Sequence, residues 1–122
     1  MAVEHKLNEI TRKAGADLTS KEHFAVKFDA NGDVILAAAA TDKILGVLTR
    51  EVGASAEPVG IAVEGLLKGV AGGTIAAGDF LTSDANGKLV ATTTAGDIVI
   101  GQATESAVAN DVFEFITTKF KY

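Results

Sequence analysis

Apolar positions in this chain come in short runs set apart by Gly, Asn and Asp, and the runs repeat. Phe24, Val26 and Phe28 alternate with Ala25 and Lys27, then Asp29-Ala30-Asn31-Gly32 interrupts, then Val34-Ile35-Leu36 follows. Further on, Phe80-Leu81-Thr82, the same word Asp84-Ala85-Asn86-Gly87, and Leu89-Val90-Ala91 spell the arrangement again. The offset is 55 residues, from Asp29 to Asp84, and it holds without a gap. Ile44-Leu45-Gly46 then falls on Val99-Ile100-Gly101, and Thr49 on Thr104. One deletion brings Glu57-Pro58-Val59-Gly60-Ile61 onto Asp111-Val112-Phe113-Glu114-Phe115. Register kept over that length marks an internal duplication of one supersecondary unit.

The unit reads as β. Asn-Gly between apolar runs signals a hairpin, and a type I′ turn would put both residues at φ > 0, so Asn31, Gly32, Asn86 and Gly87 are the expected structural turns. In the strand that closes the first copy, Val59, Ile61 and Val63 share one face while Gly60, Ala62 and Glu64 share the other, the period of a half-buried strand. The stretch LAAAAT at 36–41 has helical propensity. Its partner in the repeat is the β-branched ATTTAG at 91–96, so both are expected to be extended or loop. Residues 64–78 join the copies, with Leu67 and Val70 as core and Gly72-Gly73 and Gly78 as turns.

Residues 1–20 match neither copy. Val3, Leu7, Ile10 and Ala14 have helical spacing, with Gly15 placed as a C-cap, which predicts either a short amphipathic helix or an arm that orders against a partner. The expected organisation is this arm or helix at 1–20 and a single β domain at 21–122, with repeat copies at about 24–63 and 79–117. The fold class is mainly β: a small barrel or sandwich built by duplication.

Composition narrows the function. The chain has 122 residues, 13 glycines, one proline, no tryptophan and no cysteine. A chain of this length buries roughly 65 % of its unfolded surface, enough for one core. Without cysteine there is neither disulfide nor thiolate site, which fits assembly in a reducing cytoplasm. No apolar run reaches the roughly 18 residues of a membrane span, and the first residues lack a secretory h-region. The net charge of −5 is uneven. Lys6, Arg12, Lys13, Lys21 and Lys27 leave the first 28 residues slightly basic, and the remainder is acidic. An acidic body without a basic stripe is a poor match for nucleic acid.

Candidate chemistry is sparse. Asp29, Asn31 and Asp33 open like a calcium loop, but Val34 replaces the required glycine and Ala40 the closing glutamate. GVAGGT at 69–74 lacks the Gly-Lys-Ser/Thr of a phosphate loop. His5 and His23 have no metal-pair spacing. Asp79, Asp97 and Asp111 sit beside strand starts, where they cap turns. No catalytic, metal or cofactor site is expected. The C-terminal FEFITTKFKY alternates to its end, with Lys119 and Lys121 between Phe120 and Tyr122. It reads either as a lysine-guarded edge strand or as a strand that pairs with a neighbouring subunit.

The second half carries a further pattern: Ala77-Gly78-Asp79, Gly87-Lys88-Leu89, Ile100-Gly101-Gln102-Ala103 and Asn110-Asp111 ahead of the last strand, preceded by Val63-Glu64-Gly65. This resembles the capsid decoration, or cement, proteins of tailed bacteriophages, well over residues 59–116 and loosely in the first copy. The resemblance implies a virion protein on the capsid surface, assembled in the host cytoplasm, with the major capsid protein and its own copies, as a homotrimer, for partners. It implies reinforcement of the expanded shell, with no cofactor, nucleic acid or membrane involved. Val3, Leu7, Ile10, Phe120 and Tyr122 are the expected capsid or subunit contacts. The alternatives are another oligomeric β module, such as a tail, spike or host-surface component, and a small ligand-binding barrel.

Overall fold

The computed structural model describes residues 5–49 and 54–122. Among the described residues nine strands form one antiparallel sheet. They are β1 (His5–Lys13), β2 (Ala25–Phe28), β3 (Val34–Leu36), β4 (Gly46–Leu48), β5 (Pro58–Val70), β6 (Phe80–Ser83), β7 (Leu89–Ala91), β8 (Ile98–Ala103) and β9 (Val112–Lys121). The strand order is β3-β2-β4-β5-β9-β8-β6-β7, with β1 on β5.

Two modules share β5. In the first, Val26 pairs with Leu36 and with Gly46, and Val47 and Leu48 pair with Ala62 and Ile61. In the second, Leu81 pairs with Ala91 and with Gly101, and Gln102 and Ala103 pair with Ile116 and Phe115. These are the same registers at the offset read from the sequence. Each module also curls back on itself. Ala14, just past β1, bridges Val34 of β3, and Ala71, just past β5, bridges Leu89 of β7. The result is two small barrel-like curls, each around its own apolar filling.

The curl explains β1. Lys13 pairs with Pro58 and Ile10 with Ile61. Val70 likewise pairs with Val112 and Leu67 with Phe115. β1 is therefore to the first module what the second half of β5 is to the second. The residues after each strand behave alike too. Gly15 N–H donates to Val34 O and Gly72 N–H to Leu89 O, both at 2.8 Å. This corrects two expectations. The described part of the 1–20 segment is a strand and turn, not a helix, and the first part of the joining stretch, residues 64–70, continues β5. The helical spacing arose because few residues of this segment reach the core. Ile10 packs against it from the strand, Ala14 leaves the strand end, and Leu18 folds back from the turn.

Each curl has a core. The first holds Val26, Val34, Leu48, Val59 and Ile61, with Ala14 and Leu18. The second holds Leu67, Ile75, Leu81, Leu89, Phe113 and Phe115. A fully buried side chain of this size contributes about 1.5–3 kcal/mol. β5 serves both: Val59, Ile61 and Val63 enter the first core while Ala62, on its other face, joins the second. The period-two reading of β5 was therefore right, but its second face, expected to be exposed, is buried at Ala62.

The two Asp-Ala-Asn-Gly words do form the hairpin turns, though not of the mirror type. Gly32 and Gly87 have φ of +79° and +80°, while neither asparagine is among the residues with positive φ. Asp29 N–H donates to Asp33 O, and Gly32 N–H to Asp29 O. This is a three-residue loop with glycine at the left-handed position. It is favoured because the aspartate organises it: Asp29 Oδ1 accepts from Asn31 and Asp33 N–H at 2.8 and 3.0 Å. Asp84 Oδ1 does the same for Asn86 and Lys88, at the same distances. The alanine tract after β3 is loop, pinned by Asp42 Oδ2, which accepts from Ala38 and Ala39 N–H.

Candidate interaction surface

Several aspartates accept bonds from the backbone amides of turns. Beyond Asp29, Asp42 and Asp84, Asp79 accepts from Ala76 N–H and Asp111 from Val108 N–H. Asp97 is buried and accepts the Thr92 hydroxyl proton. Such bonds close turns. Among the described residues no three His, Cys, Asp or Glu side chains converge on a possible metal site. Nor is any helix among the described residues long and apolar enough to cross a membrane.

Apolar surface is the more informative feature. Among the described residues the large exposed hydrophobic ones are Phe28, Val108, Val112, Ile116, Phe120 and Tyr122. Four of these six lie on or just after β9, and two of the four, Phe120 and Tyr122, form a patch with Phe80. The patch is ordered by rings. Phe80 meets Phe120 edge-on at 5.1 Å between centroids and Tyr122 at 6.3 Å, and Phe120 and Tyr122 stack at 6.3 Å. Such arrangements contribute about 0.5–1.5 kcal/mol beyond burial. Beside Phe80 opens a shallow cleft of about 420 Å³, lined also by Gly78, Asp79, Ala91, Thr92 and Thr93.

β9 also ties the two modules. It pairs with β5 from Val112 to Ile116 and with β8 from Phe115 onward, so that beyond Ile116 it pairs with β8 alone among the described strands. The Thr117 hydroxyl accepts from Gly65 N–H at 3.0 Å, and Lys119 Nζ donates to Leu45 O at 2.5 Å. Burial of that ammonium holds the Lys119 pKa below the usual lysine range, with Glu64 pulling it back up. Lys119, expected as a solvent-facing guard of an edge, is exposed and also reaches the loop before β4. In the first module Lys27 and Asp42 form an ion pair at 2.9 Å. The Lys27 bond is the largest influence holding the Asp42 carboxyl low, helped by the Ala38 and Ala39 amides.

Of the contact residues expected from sequence, Val3 lies outside the described residues and Leu7 falls within β1. Ile10 packs against the first core. Phe120 and Tyr122 are 38 % and 41 % exposed and stand together. Phe80 and Ile116 were missed. Ile116 had a signal: it breaks the polar face of a strand whose inward residues are Phe113 and Phe115.

These features describe a duplicated β scaffold with an exposed apolar patch. A family model for phage cement proteins matches residues 4–120, and the chain belongs to that family. It is thus a structural, capsid-associated virion protein of bacteriophage type. The fold is shared with the crystal structure of the head fiber gp8.5 N base in bacteriophage phi29. The TM-score is 0.66 at 21 % identity, over 94 % of this chain and 98 % of that one. Among curated proteins none matches the sequence.

Proposed function

We propose that the protein decorates the outer surface of the phage capsid as a trimer, bridges neighbouring major capsid subunits, and stabilises the expanded shell without catalysing a reaction. The observation that carries this reading is the family match over nearly the whole chain. The phi29 head fiber base has the same fold, and carboxylates fixed in turns suit a body whose task is mechanical.

The mechanism is linkage. A protein that binds only the expanded form stabilises that form by its binding free energy. Repetition over many identical sites makes the total large when each contact is modest. Phe120 and Tyr122 are the contact residues this reading retains. The test is to mix purified protein with expanded, undecorated shells and measure saturable binding and the heat resistance of the shells. Binding with a raised disruption temperature is expected; shells that neither bind the protein nor gain resistance would refute the reading.

A further inference from the structure

Directly paired residues of an antiparallel sheet project on the same face. In the second module Phe80, Gln102 and Ile116 form such a row across β6, β8 and β9. The same positions in the first module are Ala25, Val47 and Ala62, across β2, β4 and β5. All three of these are 0 % exposed and belong to the cluster that holds Phe113 and Phe115. The first module is thus buried along this row against the second. In the second module the same row is open: Ile116 is 45 % exposed, and Phe120 and Tyr122 extend the patch through their contacts with Phe80.

We propose that this face of the second module is buried against a second copy of the same chain. The proposal rests on the trimer reading above and names the face on which copies meet. The occupant follows from the duplication. Within the chain, the counterpart face is already covered by a module of the same build, and a second copy supplies another one. The row carries no ionisable side chain, and charged residues are depleted from the buried cores of protein interfaces. Side-chain size agrees. Alanines sit where the modules stack within one chain, and large rings sit where separately folded bodies must fill a gap. Closed symmetric assembly from one repeated patch is the usual arrangement of homo-oligomers.

The chain has no cysteine, so Ile116→Cys introduces a single thiol that can carry a benzophenone probe. The labelled protein is irradiated on decorated shells and, separately, free at high concentration. Covalent adducts between two decoration chains are expected in at least one setting. Capture of the major capsid protein at this position, or a probe that yields no self-adduct in either setting, overturns the proposal. Phe120→Cys provides a second probe position should the first label disturb folding. In parallel, Ile116→Glu combined with Phe120→Asp should weaken self-association at least tenfold by sedimentation, with the circular dichroism spectrum unchanged; unaltered self-association is also fatal. If the unmodified protein fails to bind shells, the decoration reading falls, while self-adducts of the free protein still decide this one.

Discussion

Gly32 and Gly87 hold the same place in two copies of one turn, with φ of +79° and +80°. Their surroundings differ. Nothing lies within 4 Å of where a Cβ on Gly32 would stand, whereas one on Gly87 would meet Ala25 O at 3.1 Å and the Leu36 side chain at 3.3 Å. Ala25 N–H also donates to Gly87 O at 2.8 Å. The first turn points into solvent, and the second is docked on the other module. The repeated word therefore records what a module needs to close its own hairpin. What joins the modules is carried by positions where the copies face different neighbours, as at Ala25 and Phe80.

The first module depends most on β1, the strand with the least obvious counterpart. Deleting residues 1–20 removes β1 with Ala14 and Leu18, both 1 % exposed. The first core would lose one wall, so the expected outcome is loss of cooperative unfolding in the first module, seen by urea titration and hydrogen exchange. Leu18→Ala sharpens the test at about 2–5 kcal/mol, and Ile75→Ala, its counterpart at 1 % exposure, should cost a similar amount. A deleted form that melts like the full chain would restore the segment to the status of an arm.

The turns come next. Alanine at either glycine must adopt a left-handed backbone, at about 1–2 kcal/mol. Gly87→Ala adds crowding against a backbone carbonyl that cannot swing aside, worth about 1–3 kcal/mol more. Gly32→Ala is thus expected to lower the urea midpoint modestly and Gly87→Ala clearly further. Equal midpoints would show that the docked turn relaxes freely.

These contrasts also explain what the sequence made legible. The Asp-Ala-Asn-Gly words were readable because the turn needs an aspartate acceptor and a glycine at fixed positions, whatever surrounds it. Its subtype was not, because the asparagine stays at negative φ once Asp29 and Asp84 organise the loop. β1 was obscured because its outward residues, Thr11, Arg12 and Lys13, are exposed. That leaves Ile10 as the only side chain of its last turn of strand that packs against the core, too little for a period to emerge. The contact face was half legible. Phe120 and Tyr122 stood out as terminal aromatics, but Phe80 joins them only through the fold, and Ala62 gave no sign of being buried on what looked like an exposed face.

A smaller difference between the modules is electrostatic. Lys27 pairs with Asp42, and the corresponding position in the second module is Thr82, whose hydroxyl donates to Ala40 O instead. The Asp42 carboxyl is held below its ordinary value of 3.8. Its contribution is therefore complete above the unfolded pKa and is lost as the pH falls through the lower folded value. Lys27→Met should cost about 1 kcal/mol at neutral pH, with the gap to the parent protein closing as the pH drops below about 4. A gap that is unchanged at pH 3 would assign the loss to packing of the Lys27 stem.

The smallest expected effect lies at the tie between modules. Lys119 donates to Leu45 O from a partly desolvated position. A lysine with a lowered pKa binds fewer protons when folded than when unfolded at alkaline pH. The penalty for holding its charge there is fully present below the folded pKa. It is relieved as the pH rises from that value toward the unfolded one. The neutral amine remains a donor, so the bond to Leu45 survives the titration. Relative to Lys119→Met, the parent chain should therefore gain stability as the pH rises toward 10, because titrations common to both proteins cancel in the difference. The measurement is a pair of urea titrations at neutral and alkaline pH. A difference that stays flat would place the ammonium in solvent, and one that moves the opposite way would mean that its charge, not the hydrogen bond, holds β9 to the first module.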